Sequence, residues 1–379
     1  MFNEIINFIR DTYQTKDTIP LHEPSFNGNE DNYLKQVIES GYVSGIGKFV
    51  DHFEDQIRDY TKTSKAVATT NGTSALHASL YLSDVKQDDF VITQSLTFIA
   101  TCNAIHYLGA RPIFIDIDLE NLSLCPKSLE TWLIQNAEIN SRGICVEKNT
   151  KKFIKAVIPM HTFGHPAKLD ELNQIAKRWN LSLIEDAAES LGSFYKDRHT
   201  GTIGRFGALS FNGNKIITTG GGGMILCKDQ KEGHHMKHIT TTAKISHEYE
   251  YIYEEHGFNY RLPNVNAAIG CAQMEKLDEF LSSKRKLAAS YESFFKDTNI
   301  TFLKEPVNCR SNYWLNTILV ENKEHRDSLL KETNSCGIMT RPVWKLMHKL
   351  PMFDRDLRGD LSNSLWAEDR IINLPSTPL

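Results

Sequence analysis

One lysine, Lys215, stands in ALSFNGNKIITTGGGGMI (208–225), between a short apolar run and four consecutive glycines, Gly220 to Gly223. A lysine amine attacks a carbonyl only when deprotonated. A desolvating or cationic setting favours that state, so Lys215 at a strand exit has the surroundings of a Schiff-base lysine. A solvated turn is the plain alternative for any one lysine. The strand before it, Ser210 just ahead and the glycines behind argue against that alternative. Ser210 offers a hydroxyl to a phosphate oxygen, and the glycines let the chain turn tightly beside a bound ring. The run is not G-x-G-x-x-G, and the strand-like GMILCK follows it instead of a helix, so it is a poor dinucleotide fingerprint.

Three other positions carry complementary chemistry. Asp186 closes the apolar run LSLI in IEDAAES, either as part of a solvated strand exit or as an anion held against a cationic ring nitrogen. Opposite charges in contact interact by roughly several kcal/mol at an effective dielectric near 20, which keeps such a nitrogen protonated. Gly72, Thr73 and Ser74 open an amphipathic helix in TTNGTSALHASL. A cap and an anion site are compatible readings of the same helix start. Phe98, in QSLTFIATCNAI after the run FVIT, is either core or a stacking platform for a flat ligand. His234, His235 and His238 in GHHMKH read as a solvated helix face, so no metal site is expected.

The elements that must position these residues follow from periodicity. Short β-branched runs at 90–93, 112–117, 154–159, 181–186 and 208–211 alternate with helical patterns. This predicts an α/β domain with a mostly parallel sheet. Ligands of such sheets collect at the carboxyl ends of the strands, so the residues just after each strand are the candidates. From about 264 to 295 the pattern is one long helix. Beyond it TFLKEP, YWLNTILV and GIMTRPVW predict strands of a smaller α+β domain. With 379 residues, two domains are expected. We divide the chain into a helix and arm (1–25), a large domain (26–275) and a small domain (276–379).

Composition excludes several classes. Net charge is −4 with both signs interspersed, and no basic stripe with interleaved aromatics points to nucleic acid. No apolar run is long enough to span a bilayer. MFNEIINFIRDTYQ is apolar at Phe2, Ile5, Ile6 and Ile9, the spacing of a packing helix, and lacks the layout of a secretory signal. The seven cysteines are scattered without a C-x-x-C pair, as expected of reduced thiols in a cytoplasm.

Six motifs then occur in one order: N-G-T-x-A-L, S-x-T-F-x-A-T, P-x-H-x-x-G-x-P, E-D-A-A, S-F-x-x-x-K and G-x-N-x-R. From IPLHEPSFNGNE nearly to INLPSTPL the chain resembles the sugar-nucleotide aminotransferases of the DegT type. These use pyridoxal phosphate on the aspartate-aminotransferase-like fold, fold type I of such enzymes. The resemblance implies that Lys215 holds the cofactor as a Schiff base, that Asp186 pairs with its pyridine nitrogen and that Phe98 stacks on its ring. It implies that Gly72, Thr73, Ser74 and Ser210 bind its phosphate. Glu189 falls where many relatives have Gln, near the ring hydroxyl. Asn259, in GFNYR, would reach the phosphate in a neighbouring subunit, which makes the protein a homodimer with shared active sites.

PLHEPSFNGNE, SGYVSGIGKFV and LSFNGNKIITTGGGGM are similar to one subgroup. Its members move an amino group from L-glutamate, leaving 2-oxoglutarate, to carbon 4 of a UDP-linked 4-keto-6-deoxy-N-acetylhexosamine. The expected product is UDP-4-amino-4,6-dideoxy-N-acetylglucosamine, on routes to bacillosamine or legionaminic acid. His161, Asn312, Tyr313, Trp314, Arg341 and His348 are candidate substrate contacts or ordinary packing. The alternatives are a dTDP- or GDP-linked sugar aminated at carbon 3 or 4, and a non-catalytic pyridoxal-phosphate-binding regulator. A regulator of that kind would bring a DNA-binding module, and no such segment precedes the core. Retention of Lys215 disfavours a sugar dehydrase, where relatives place His.

Overall fold

The computed structural model describes residues 2–379. A sheet of eight strands forms its centre, in the order 65–69, 223–227, 206–210, 182–186, 154–158, 90–94, 111–115 and 357–358. Strand Gly223–Cys227 runs antiparallel to both neighbours, and the remaining pairings are parallel. The large α/β domain with a mostly parallel sheet is therefore as the alternating runs predict. Ile154–Ile158 and Ser182–Asp186 are buried nearly throughout, as strands with both faces covered must be.

Two sheet strands escape the sequence reading. Lys65–Thr69 (KAVAT) has little β-branched character, and Leu357–Arg358 is too short to show a period. Leu357–Arg358 brings the C-terminal part of the chain onto the edge of the central sheet, beside Arg111–Ile115.

Helix Gly72–Leu82 leaves the carboxyl end of Lys65–Thr69. Asn71 caps it, its side chain accepting the Ser74 N–H at 2.8 Å, an arrangement worth about 1 kcal/mol. The long helix is Asn264–Phe295. Its C-terminal half packs Leu287, Tyr291 and Phe295 against Ile5 and Ile9 of helix Phe2–Tyr13 and against Ile318, Ile372 and Leu374 of a second sheet. That sheet joins Thr301–Phe302, Asn316–Leu319, Ile371–Leu374 and Arg341–Pro342. The N-terminal helix thus shares its core with the chain's C-terminal elements.

Candidate active site

Four strand exits converge on one cleft of about 290 Å³. Strand Phe90–Gln94 leads to Phe98, strand Ile154–Ile158 to Met160, and strand Ser182–Asp186 ends in Asp186 itself. Strand Phe206–Ser210 leads from Ser210 through a turn to Lys215. The Lys215 N–H donates to Asn212 O at 3.0 Å, closing that turn.

The Lys215 ammonium is largely enclosed. Its Nζ lies 4.0 Å from the centroid of the Trp314 ring and 3.4 Å from Glu189 Oε1. The Trp314 indole N–H donates to Asn214 O at 2.6 Å, tying the aromatic cap to the lysine's own turn. Lys284, fully buried, donates to the Trp314 carbonyl at 3.1 Å and so supports the cap from below.

Asp186 is 2% exposed and accepts from the Thr101 hydroxyl at 2.6 Å and the Ala188 N–H at 3.2 Å. Burial pushes its carboxyl up, while the Thr101 and Ala188 hydrogen bonds and the Lys215 charge pull it back only partly. A buried carboxylate in that state is stabilised by a cation placed beside it. Glu189 is likewise buried. Loss of hydration pushes its carboxyl up to about 7, with nearby Asp186 adding to the rise and Lys215 and the Phe163 N–H opposing it.

At the opposite wall the helix start presents Gly72 and Thr73 beside Ser210. First-turn N–H groups have no intrahelical acceptor, and they carry the positive end of the helix dipole. The glycine run serves this wall in unequal ways. Gly220 has φ +79°, and a Cβ on Gly222 would lie 2.2 Å from Thr219 Oγ1. One on Gly223 would lie 2.4 Å from the Asn71 carbonyl, whereas Gly221 faces open space. Backbone freedom is thus needed at Gly220, and close approach at Gly222 and Gly223. Phe98 is 47% exposed, with its ring edge-to-face to Trp344 at 5.9 Å.

Of the positions singled out in the sequence, Gly72, Thr73, Phe98, Asp186, Glu189, Ser210, Lys215 and Trp314 line the cleft. The others stand elsewhere. Ser74 turns to the Thr70 hydroxyl, 3.1 Å away, while its N–H is taken by Asn71. His161 is fully buried just past strand Ile154–Ile158: Nε2 meets Glu185 at 3.0 Å and Nδ1 accepts from Ala167 N–H at 3.1 Å. It is a structural hydrogen-bonding residue rather than a substrate contact. Glu185 also accepts the N–H groups of Gly201, Ile203 and Gly204, so the two adjacent acids face separate buried networks and neither is a solvated strand exit.

Asn312 is consumed by packing. Its amide donates to Glu189 O and Leu191 O, both at 2.9 Å, and its Oδ1 accepts the Trp314 N–H. The Tyr313 hydroxyl accepts from Glu305 N–H. Arg341 is exposed and donates to Asn334 Oδ1 and Thr340 O. His348 pairs through Nδ1 with Ser95 Oγ at 2.7 Å. Asn259 is exposed, accepts from Arg261 and is absent from this cleft. His235 and His238 pair with Glu255 and Glu254. Among the described residues no cluster of three metal-ligating side chains occurs, and no helix is long and apolar enough to cross a membrane.

Sequence reasoning missed Trp344, Met160 and Thr101. Trp344 stands in GIMTRPVW, a strand-like run, and Thr101 closes the motif S-x-T-F-x-A-T. Thr101 is one helical turn beyond Phe98, and only the meeting of that helix with strand Ser182–Asp186 reveals its partner.

Comparisons with known proteins identify the family. The model of the DegT/DnrJ/EryC1/StrS aminotransferase family matches residues 24–379. A GDP-perosamine synthase of Escherichia coli O157:H7 is 35% identical, covering 95% of this chain and 93% of that protein. A GDP-perosamine synthase of Caulobacter vibrioides is 32% identical, covering 94% and 93%. A family aminotransferase of Brucella abortus superposes with a TM-score of 0.83 at 25% identity, over 92% of this chain and 90% of that one.

Proposed function

Because the chain belongs to the DegT/DnrJ/EryC1/StrS aminotransferase family, and is thus a pyridoxal-phosphate-dependent transaminase of nucleotide sugars, we propose that its acceptor is a GDP-linked keto sugar aminated at carbon 4. Similarity to the GDP-perosamine synthases supports this nucleotide. The UDP-linked N-acetylhexosamine implied by the motif resemblance becomes the second reading, carried by PLHEPSFNGNE and SGYVSGIGKFV. L-glutamate is the proposed donor.

The observation that carries the site is the convergence of Lys215, Asp186 and the Gly72 helix start on one cleft. It fits pyridoxal phosphate in three respects: a buried carboxylate lacking a full cationic partner, a helix start that presents the Gly72 and Thr73 N–H groups, and an exposed aromatic face. Lys215 would hold the aldehyde, Asp186 the ring nitrogen, Phe98 a ring face, and Gly72, Thr73 and Ser210 the phosphate. Bound there, the group supplies an electron sink for a carbon that loses or gains a proton. The protein's share is placement and proton handling. Lys215, freed when donor or acceptor is seated, moves one proton at its Nζ between two carbon positions. Trp314 covers that amine.

We further propose a homodimer in which Asn259 serves the partner's phosphate site. Tyr42, Val43, Ile46, Tyr249, Tyr251 and Tyr253 are exposed in the single chain, apolar surface of the kind a second copy covers.

The test follows the absorbance of purified protein with bound pyridoxal phosphate. L-glutamate is expected to abolish the visible band, and a GDP-linked 4-keto-6-deoxy sugar to restore it. Restoration by the UDP-linked sugar alone selects the second reading; restoration by no nucleotide keto sugar defeats both.

A further inference from the structure

One buried titratable group in the cleft is left without a task by the scheme above: the carboxyl of Glu189, 3% exposed. Its two oxygens are treated differently. Oε2 accepts the Phe163 N–H at 2.9 Å, while Oε1 faces Lys215 Nζ at 3.4 Å. The arrangement is built rather than incidental. Phe163 holds a left-handed backbone, φ 55° and ψ 18°, a strained conformation for a bulky residue that persists only where surroundings enforce it. Asn312 pins the Glu189 backbone by donating to its carbonyl at 2.9 Å. The charged groups that act on the Glu189 carboxyl are Lys215 and Asp186. Among the described residues Lys215 is the one cation paired with it.

We propose that Glu189 is the proton carrier of Lys215: Oε1 takes one proton from the lysine ammonium, leaving a neutral amine, and returns it by the reverse transfer. The proton count and total charge of the pair are unchanged, so no co-reactant is needed. The Phe163 N–H remains bonded to Oε2 in both states, so the carboxyl need not rotate. On the other side of the amine the Trp314 ring, 4.0 Å away, favours the ammonium. The proton therefore has an acceptable seat on either partner. Burial, which brings the carboxyl to about 7, agrees with this balance. A glutamine here could keep its carbonyl oxygen on the Phe163 N–H, but its amide would face Lys215 as a donor and could not take the proton.

The inference rests on the transaminase reading, and its test separates the two. In protein freed of pyridoxal phosphate, infrared difference spectra across pH 5–9 are expected to show one buried carboxylic-acid C=O band titrating near neutrality. Glu189→Gln should lose it. In the loaded enzyme, single-turnover rates with L-glutamate should show a neutral-range pH step in the wild type that Glu189→Gln lacks. Glu189→Asp, with the carboxyl withdrawn by one methylene, should keep the step at a lower rate. An infrared band that persists in Glu189→Gln, or an unchanged pH step in that variant, overturns the proposal. Failure of every keto sugar to accept the amine would instead refute the functional reading and leave the infrared result standing.

Discussion

At the scale of single residues, the cleft holds two carboxyls at a cost that the bare protein bears and a bound cation relieves. Glu189 is raised by burial from 4.5 to about 7, and Asp186 is raised in the same direction. A group whose folded pKa exceeds its unfolded value stabilises the fold below the unfolded pKa, and loses that contribution as pH rises through the folded one. Protein without cofactor should therefore lose stability from Glu189 between about pH 4.5 and pH 7. Buried His165 and His199, both lowered to about 4, act oppositely, their contribution being lost as pH falls below the unfolded histidine range near 6.5. The comparison of wild type with Glu189→Gln isolates the carboxyl: urea midpoints should agree at pH 4.5 and favour the variant at pH 8. Equal midpoints at both pH values would remove the burial argument. Lys215→Ala is expected to abolish the visible band and to lower transamination by about a thousand-fold or more, the scale of losing a positioned base. Retention of both would dismiss Lys215 from its role.

At the scale of elements, the anion wall depends on how closely strand Gly223–Cys227 approaches the start of helix Gly72–Leu82. A methyl at Gly223 would meet the Asn71 carbonyl at 2.4 Å, whereas one at Gly221 meets nothing within 4 Å. Gly223→Ala should cost about 1–3 kcal/mol by overpacking and weaken pyridoxal phosphate binding, both read by calorimetry. Gly221→Ala should change stability by no more than about 0.5 kcal/mol. Similar behaviour of the two variants would mean that the glycine run matters for flexibility rather than for approach. The run GGGG is visible in sequence, but the unequal demands on its members are not. They arise from which residue of another element faces each Cα.

At the scale of the whole molecule, the single chain leaves Asn259 exposed and outside the cleft. If each site borrows Asn259 from its neighbour, then Lys215→Ala and Asn259→Ala subunits are each impaired alone. Their heterodimer contains one intact site, with Lys215 from one chain and Asn259 from the other. Co-refolding the two variants should restore activity well above either parent, assayed with the sugar that restores the absorbance band. No gain on mixing would confine the site to one chain.

Much of this was legible in the amino-acid order. β-Branched runs of strand length mark five sheet strands, and residues at their carboxyl ends, Asp186 and Lys215 above all, mark the cleft. A backbone period and a strand exit are local properties, so local sequence reports them. Tertiary structure decided what depends on meetings between distant segments. His161 follows a strand as Asp186 ends one, yet Glu185 and Ala167 claim both its nitrogens. Asn312 and Trp314 are two residues apart, but the first is spent on backbone carbonyls and the second caps Lys215. Glu189 has the same type as many solvated glutamates, and only burial beside Lys215 and Asp186 sets its proton affinity. Which way a side chain faces, and what desolvates it, is fixed by neighbours far off in the chain.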